Sequence, residues 1–127
     1  KMLGGAMRQA GVIAAPAIVA LETMIDRLPE DHRRARMLAE GIAGIPGLSI
    51  DPATVQTNIV VFRPDASVEQ QALREAMRSA GVLSSDFGAR GIRMVTHYEI
   101  TDDDIGRALD VLSGAVSTML EHGHVTA

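Results

Sequence analysis

An arginine inside a short apolar segment is the residue of this sequence best suited to bind a ligand. Arg93 lies between Ile92 and Met94, in a stretch that we interpret as a strand. Burying a guanidinium without an anionic partner is costly, and its planar fork can bind a carboxylate through two parallel hydrogen bonds. The spacing also allows an exposed strand arginine, or one that pairs with Asp86 or Glu99. Arg93 is therefore a candidate carboxylate-binding residue, with these alternatives open.

The first residues combine a glycine turn with two cations. Residues 1–9 read Lys-Met-Leu-Gly-Gly-Ala-Met-Arg-Gln, so Lys1 and Arg8 flank the glycines. Glycine lets the backbone approach a ligand closely, and cations favour phosphate. The spacing matches neither a P-loop nor a dinucleotide-binding fingerprint. The residues alone therefore give only a weak phosphate-binding signal.

The histidines and one asparagine are weaker candidates. His97 follows Arg93 by four residues and could be an acid/base, but we favour a hydrogen-bonded turn residue. Asn58 opens another predicted strand, where an asparagine usually satisfies nearby backbone groups. His122 and His124 give only a weak metal signal. We assign no catalytic residue and no metal ligand.

The composition argues against several classes of function. Net charge is −4 and no basic stripe is present, so we expect no nucleic-acid binding. No apolar run reaches membrane-spanning length, so we expect no membrane partner. Cysteine is absent, which rules out disulfides, zinc thiolates and cysteine nucleophiles and fits the cytoplasmic location that we expect. Apolar residues make up 46% but aromatics only 2%, which indicates an aliphatic core.

The hydrophobic pattern predicts an α+β fold. We expect a small, mainly antiparallel sheet of about three strands, covered by helices on one face. The apolar run at 59–62 nevertheless favours a strand that is covered on both faces. The predicted helices cover residues 8–26, 29–43 and 68–80 and a last segment from Thr101, and the predicted strands cover 56–63, 82–84 and 92–95.

Local signals set the ends of these elements. Ser67 and Gln70 form a capping-box pattern for the third helix. Thr101 is expected to cap the last helix, ahead of an acidic first turn. Pro16 should kink the long first helix, because proline removes one backbone donor.

We divide the chain into three parts. Residues 1–28 form an interface helix with its glycine turn, residues 29–120 form the small α+β domain, and residues 121–127 form a disordered tail. The first helix is apolar around much of its circumference, which implies burial on more than one side. It therefore needs a partner surface that a small domain cannot supply.

Four blocks along the chain form a further pattern: residues 1–9, residues 28–32 with 38–41, residues 56–60 and residues 91–97. In this order they resemble the PLP-dependent threonine aldolases of the β-eliminating lyase family, which have the aspartate-aminotransferase fold (fold type I). Ala6 stands where the family has the third glycine of its first block, which is a departure from the pattern.

The resemblance implies a fold, a cofactor and site residues. The chain would be the C-terminal small domain of a lyase that cleaves L-threonine or related β-hydroxy-α-amino acids to glycine and an aldehyde. Arg93 would bind the substrate carboxylate, and Arg8 and Lys1 would lie near the phosphate of pyridoxal 5′-phosphate (PLP). The family's Schiff-base lysine would lie upstream of Lys1, so the chain by itself would be inactive. Its partners would be the large PLP-binding domain and further copies in a dimer or tetramer.

A second interpretation is a stand-alone, non-catalytic α+β module for ligand binding or oligomerisation. The apolar first helix and the strand arginine are compatible with it. The two interpretations differ in what precedes Lys1 in the gene. An in-frame upstream sequence with a lysine roughly 20 to 30 residues before Lys1 would favour the lyase, whereas an initiation codon directly before Lys1 would favour the module.

Overall fold

The structure is a computed structural model that describes residues 5–123. Its four helices are α1 (Gly11–Thr23), α2 (Leu28–Ala43), α3 (Gln70–Ser79) and α4 (Asp102–Gly123). Its four strands are β1 (Leu48–Ser49), β2 (Ile59–Pro64), β3 (Ser85–Asp86) and β4 (Ile92–Val95). Lys1 and residues 124–127 of the predicted tail lie outside the described residues, and α4 continues into that tail as far as Gly123.

The strands form one antiparallel sheet in the order β1-β2-β4-β3. The α+β class is therefore confirmed. The sheet has four strands because β1, a pair of residues too short to show any alternation, adds to the edge of β2. The strand predicted at 82–84 was misplaced. Residues 81–82 instead close the end of α3, where the Val82 amide donates to the Met77 carbonyl at 2.9 Å, and β3 begins at Ser85.

One face of the sheet, which we call the packed face, is covered by helices. Phe62 pairs with Ile92 and Val60 pairs with Met94 across β2 and β4, and all four side chains are buried. They pack into one aliphatic core with buried residues of α2, α3 and α4: Ala35, Leu38, Ala39, Ile42, Leu73, Met77, Ile105, Ala108, Leu112 and Val116.

The opposite face, which we call the open face, has no helix over it among residues 5–123. Side chains alternate along a strand, so the neighbours of the buried residues point there. Ile59 is 44% exposed and Val95, its partner across the sheet, is 45% exposed. The prediction that residues 59–62 are covered on both faces was therefore wrong for this part of the chain. The apolar run continues through Ile59 and Val61 although their face is open.

The predicted helix start at Thr101 is confirmed and the one at Ser67 is wrong. The Thr101 amide donates to the Asp104 carboxylate at 2.8 Å, and the Asp104 amide donates to Thr101 Oγ1 at 3.2 Å. Residues 65–68 instead form a turn closed by the Val68 amide on the Asp65 carbonyl, at 3.0 Å. α3 consequently starts later, and the Glu69 carboxylate caps it by accepting from the amides of residues 71 and 72.

The arginines on α2 form a solvated surface that links to α4. Arg33 and Arg34 both donate to Asp102 Oδ1, at 2.6 and 2.8 Å. The hydrogen bond from Arg33 is the main cause that lowers the pKa of the Asp102 carboxyl, followed by that from Arg34. Both cations are therefore paired with a carboxylate of the protein itself.

α1 is shorter than predicted and none of its residues is buried. It contains Pro16 and is followed by a 3₁₀ turn, Ile25–Arg27, that leads into α2. Its apolar side chains project into solvent, with Val12 70% and Leu21 68% exposed. No helix within residues 5–123 combines the length and the apolar character that crossing a bilayer requires.

Candidate functional site

Arg93 lies in β4 on the open face, between Val61 of β2 and Ser85 of β3. Its side chain is partly buried, and its Nε is fully buried with no hydrogen-bond partner. Buried polar groups normally have a partner. The guanidinium therefore lacks an acceptor in the part of the chain that the structure describes.

Neither acidic residue suggested by the sequence pairs with Arg93. Asp86 points to the packed side, where it accepts from the Gly88 amide at 2.7 Å and contacts Arg74 at 3.5 Å. The Glu99 carboxylate is nearest to the His97 ring, 3.9 Å from Nδ1. Within residues 5–123, Arg93 therefore forms an ion pair with neither Asp86 nor Glu99.

An aromatic ring that the sequence analysis did not single out lies beside Arg93. The guanidinium carbons of Arg93 and Arg90 lie 5.6 and 5.1 Å from the centroid of the Phe87 ring, within the range of cation–π contacts. The short turn that follows Phe87 requires Gly91, whose φ is +106° and where a Cβ would overlap the Phe62 carbonyl. The chain has only two phenylalanines, so the rarity of Phe87 was an available signal.

A buried hydrogen-bond cluster fixes the end of β4, three residues beyond Arg93. Thr96 Oγ1 donates to the Asp31 carbonyl at 2.7 Å, and Asn58 Nδ2 donates to the Thr96 carbonyl at 2.7 Å. The Asp31 carboxylate in turn accepts two hydrogen bonds from Arg27, at 2.7 and 2.9 Å. Asn58 thus binds backbone as expected. Thr96 and Asp31 were missed, because their partners are about 65 residues apart in sequence.

His97 is exposed and belongs to the turn after β4. Its Nδ1 accepts from the Glu99 amide at 3.4 Å, which agrees with the favoured interpretation as a hydrogen-bonded turn residue. No group of His, Asp and Glu within residues 5–123 is arranged to hold a metal ion.

Of the two predicted phosphate-side residues, the structure describes only Arg8. Lys1 is outside the described residues. Arg8 is exposed in a turn, forms no ion pair with an acid of residues 5–123, and precedes Gln9, whose φ is +52°. Few non-glycine residues adopt this left-handed region. The turn thus presents an unpaired cation next to an uncommon backbone conformation.

Comparisons with known proteins identify the family of this chain. The Beta-eliminating lyase family profile matches residues 1–65. "Low-specificity L-threonine aldolase 1" of Arabidopsis thaliana is 35% identical over 123 residues, which are 95% of this chain and 34% of that protein. "Low specificity L-threonine aldolase" of Escherichia coli strain K12 is 33% identical over 105 residues, 83% of this chain and 30% of that protein. "Aldolase vrtJ" of Penicillium aethiopicum is 36% identical over 125 residues, with shares of 96% and 31%.

The chain belongs to the Beta-eliminating lyase family. It spans about a third of the length of the curated relatives it matches. Family membership implies PLP for the full-length enzymes. The α+β domain described above agrees with the C-terminal domain of a fold type I enzyme.

Proposed function

We propose that this chain acts within a longer polypeptide as the small domain of a PLP-dependent aldehyde-lyase. The complete enzyme would cleave L-threonine or a related β-hydroxy-α-amino acid to glycine and an aldehyde. The domain's own task would be to bind the substrate carboxylate. The names of the similar proteins and the family match support this reaction class.

The buried, unpartnered Nε of Arg93 is the observation that carries the proposal. A carboxylate would complete its hydrogen bonding in the bidentate geometry that a guanidinium favours. The open face supplies access, and Phe87 limits the directions that the guanidinium can take. The cluster at Thr96 fixes the end of the strand, so Arg93 would meet its ligand with little loss of side-chain freedom.

The charge of the predicted phosphate-side residues suits the phosphate of PLP. Arg8 is an exposed cation that forms no ion pair with an acid of residues 5–123, and Lys1 precedes it by seven residues in the sequence. Both would bind the phosphate as cations. When bound, PLP supplies the electron sink for cleavage of the bond between Cα and Cβ, and Arg93 would orient the substrate for that cleavage.

The exposed apolar side chains of α1 support a contact with the large PLP-binding domain or a second subunit. Apolar patches of several hundred Å² are unusual on a free monomer. Homo-oligomerisation and a cytoplasmic location remain predictions that follow from the family resemblance and the composition.

The reaction is tested with the complete enzyme that carries this segment. We expect glycine and acetaldehyde to appear in equal amounts from L-threonine when PLP is present, and neither to appear from the apoenzyme. A complete protein that binds PLP but releases no glycine from any β-hydroxy-α-amino acid would contradict the proposed reaction.

The role of Lys1 is tested with the chain alone. We expect Lys1 to bind phosphate without a covalent bond to PLP. Borohydride treatment of the chain with PLP should then label the side-chain amine of Lys1 no more than the α-amine of the same residue. Peptide mapping by mass spectrometry gives the labelled positions. Selective, stoichiometric labelling of the Lys1 side chain would show that the assignment is wrong.

A further inference from the structure

A cavity lies on the open face, next to Arg93 but not lined by it. Its volume is about 410 Å³, within the range of small-molecule sites. The lining combines two cations, one carboxylate and an apolar wall: Ser49, Ile50, Asp51, Val61, Arg63, Phe87 and Arg90.

The charged groups of this cavity are not paired with each other. Arg63 donates through Nε to the Arg90 carbonyl at 3.4 Å, and the Arg90 guanidinium lies against Phe87. Asp51 Oδ1 accepts from the Ala53 amide at 3.0 Å. No ion pair joins Asp51 to either arginine, or either arginine to another acid, within residues 5–123. Asp51 and both arginines thus line the cavity, and none of the three has a charged partner within residues 5–123.

We propose that this cavity binds a small α-amino acid as its zwitterion. The carboxylate would accept from Arg63 and Arg90, and the ammonium would donate to Asp51. A simple anion would meet repulsion from Asp51, and a simple cation would meet repulsion from the two arginines. A zwitterion satisfies both, and Ile50 and Val61 are apolar lining residues that a short aliphatic side chain would contact.

This site is separate from the carboxylate site at Arg93 and does not depend on the proposed reaction. Phe87 is the wall between the two, because its ring contacts both Arg90 and Arg93. The amino acid would therefore bind beside the proposed substrate site and not in it.

The proposal is tested by titrating the isotopically labelled chain with glycine and recording backbone amide shifts by NMR. We expect saturable shifts at residues 49–51, 63 and 87–90, with a Kd on the order of 1–10 mM because the charged groups are solvated. Acetate and methylamine at equal ionic strength should bind about tenfold more weakly. Equal binding of acetate and glycine would overturn the amino-acid assignment, as would the absence of shifts at these residues.

Substitutions locate the site. Arg90→Gln and Asp51→Asn should each raise the glycine Kd about tenfold, by removing one charge-assisted contact. Asparagine also caps the turn at residue 51, so Asp51→Asn should keep the fold. The matched control is Arg78→Gln on α3, an exposed arginine outside the cavity, which should leave the Kd unchanged. Unchanged affinity in Arg90→Gln and Asp51→Asn, with native spectra, would overturn the proposal. Loss of the shifts in Arg93→Gln would also overturn it, because the ligand would then belong to Arg93.

Discussion

The two faces of the sheet use the same strands and similar residues but differ in what covers them. On the packed face, Ile92 is fully buried and contacts helices of this chain. On the open face, Ile59 is 44% exposed and lies at one end of a surface whose other end holds unpaired arginines. An apolar strand face stabilises a fold only when something covers it. The packed face therefore stabilises the fold of the domain. The open face is suited to contacts with groups that are not part of this domain.

The largest effect should follow from removing the unpaired arginine of the open face. In the complete enzyme, Arg93→Ala would remove a charge-assisted pair with the substrate worth about 2–5 kcal/mol. That corresponds to a loss of about 30-fold to several thousand-fold in kcat/KM. Arg93→Lys should recover only part of it, because an ammonium cannot reproduce the two-pronged contact.

The matched measurement for Arg93 is thermal melting of the same variants. The fold should be little affected, because the partner of Arg93 is the ligand and not a core residue. Near-normal turnover in Arg93→Ala would contradict the proposed role. A loss of activity that parallels a loss of stability would mean that the residue is structural.

A pair of identical substitutions compares the faces directly. Ile92→Ala should lower the free energy of unfolding by about 2–5 kcal/mol, as expected for a fully buried isoleucine. Ile59→Ala in the neighbouring strand β2 should change the free energy of unfolding by less than about 1 kcal/mol in this chain. Urea denaturation of both variants gives the two values. Equal losses would show that the open face is covered in this chain by residues outside 5–123 or by a second copy.

An intermediate effect is expected at the cluster that joins β4 to α2. Thr96→Val keeps the side-chain shape but removes the buried hydrogen bond to the Asp31 carbonyl. Leaving that acceptor unsatisfied should cost about 1–3 kcal/mol. The loss should appear in the melting temperature of the chain alone, with Thr54→Val, whose hydroxyl bonds at an exposed position, as the control. A Thr96→Val chain as stable as the parent would contradict the role of this cluster in fixing the end of β4.

The smallest effect concerns the exposed acid at the start of α4. The pKa of Asp102 is lowered chiefly by its hydrogen bond to Arg33, so the unfolded chain holds this proton more tightly than the folded one. The pair therefore contributes stability above the ordinary aspartate pKa of about 3.9, and this contribution is lost as pH falls below it. Asp102→Asn should flatten the acid side of the stability profile, and salt should weaken the effect in the parent. An unchanged profile between pH 5 and 2 would contradict this assignment.

Local patterns predicted the elements that local contacts determine. α2 and the start of α4 follow from helix signals, and the fold class follows from the order of elements. The errors lie where tertiary contacts decide. β1 exists only because it pairs with β2, and α3 starts at Gln70 because a turn involves residues 65–68.

The candidate site was predictable in part. Arg93 was identifiable because a charged residue interrupts an apolar strand. Phe87 and Arg90 could not be placed, since a turn brings them beside Arg93. Asp51 and Arg63 line the same cavity only because β1 pairs with β2. Such neighbours depend on register, which no local pattern in this sequence specifies.

α1 has a consequence for the thermodynamics of assembly. A helix of 13 residues, none of them buried, is only marginally stable in water by itself. Its helical state should therefore depend on the surface that covers it, so that docking and helix formation occur as one coupled event. Such coupling gives association a large negative heat-capacity change, and calorimetry would register the ordering of α1 even where no catalysis takes place.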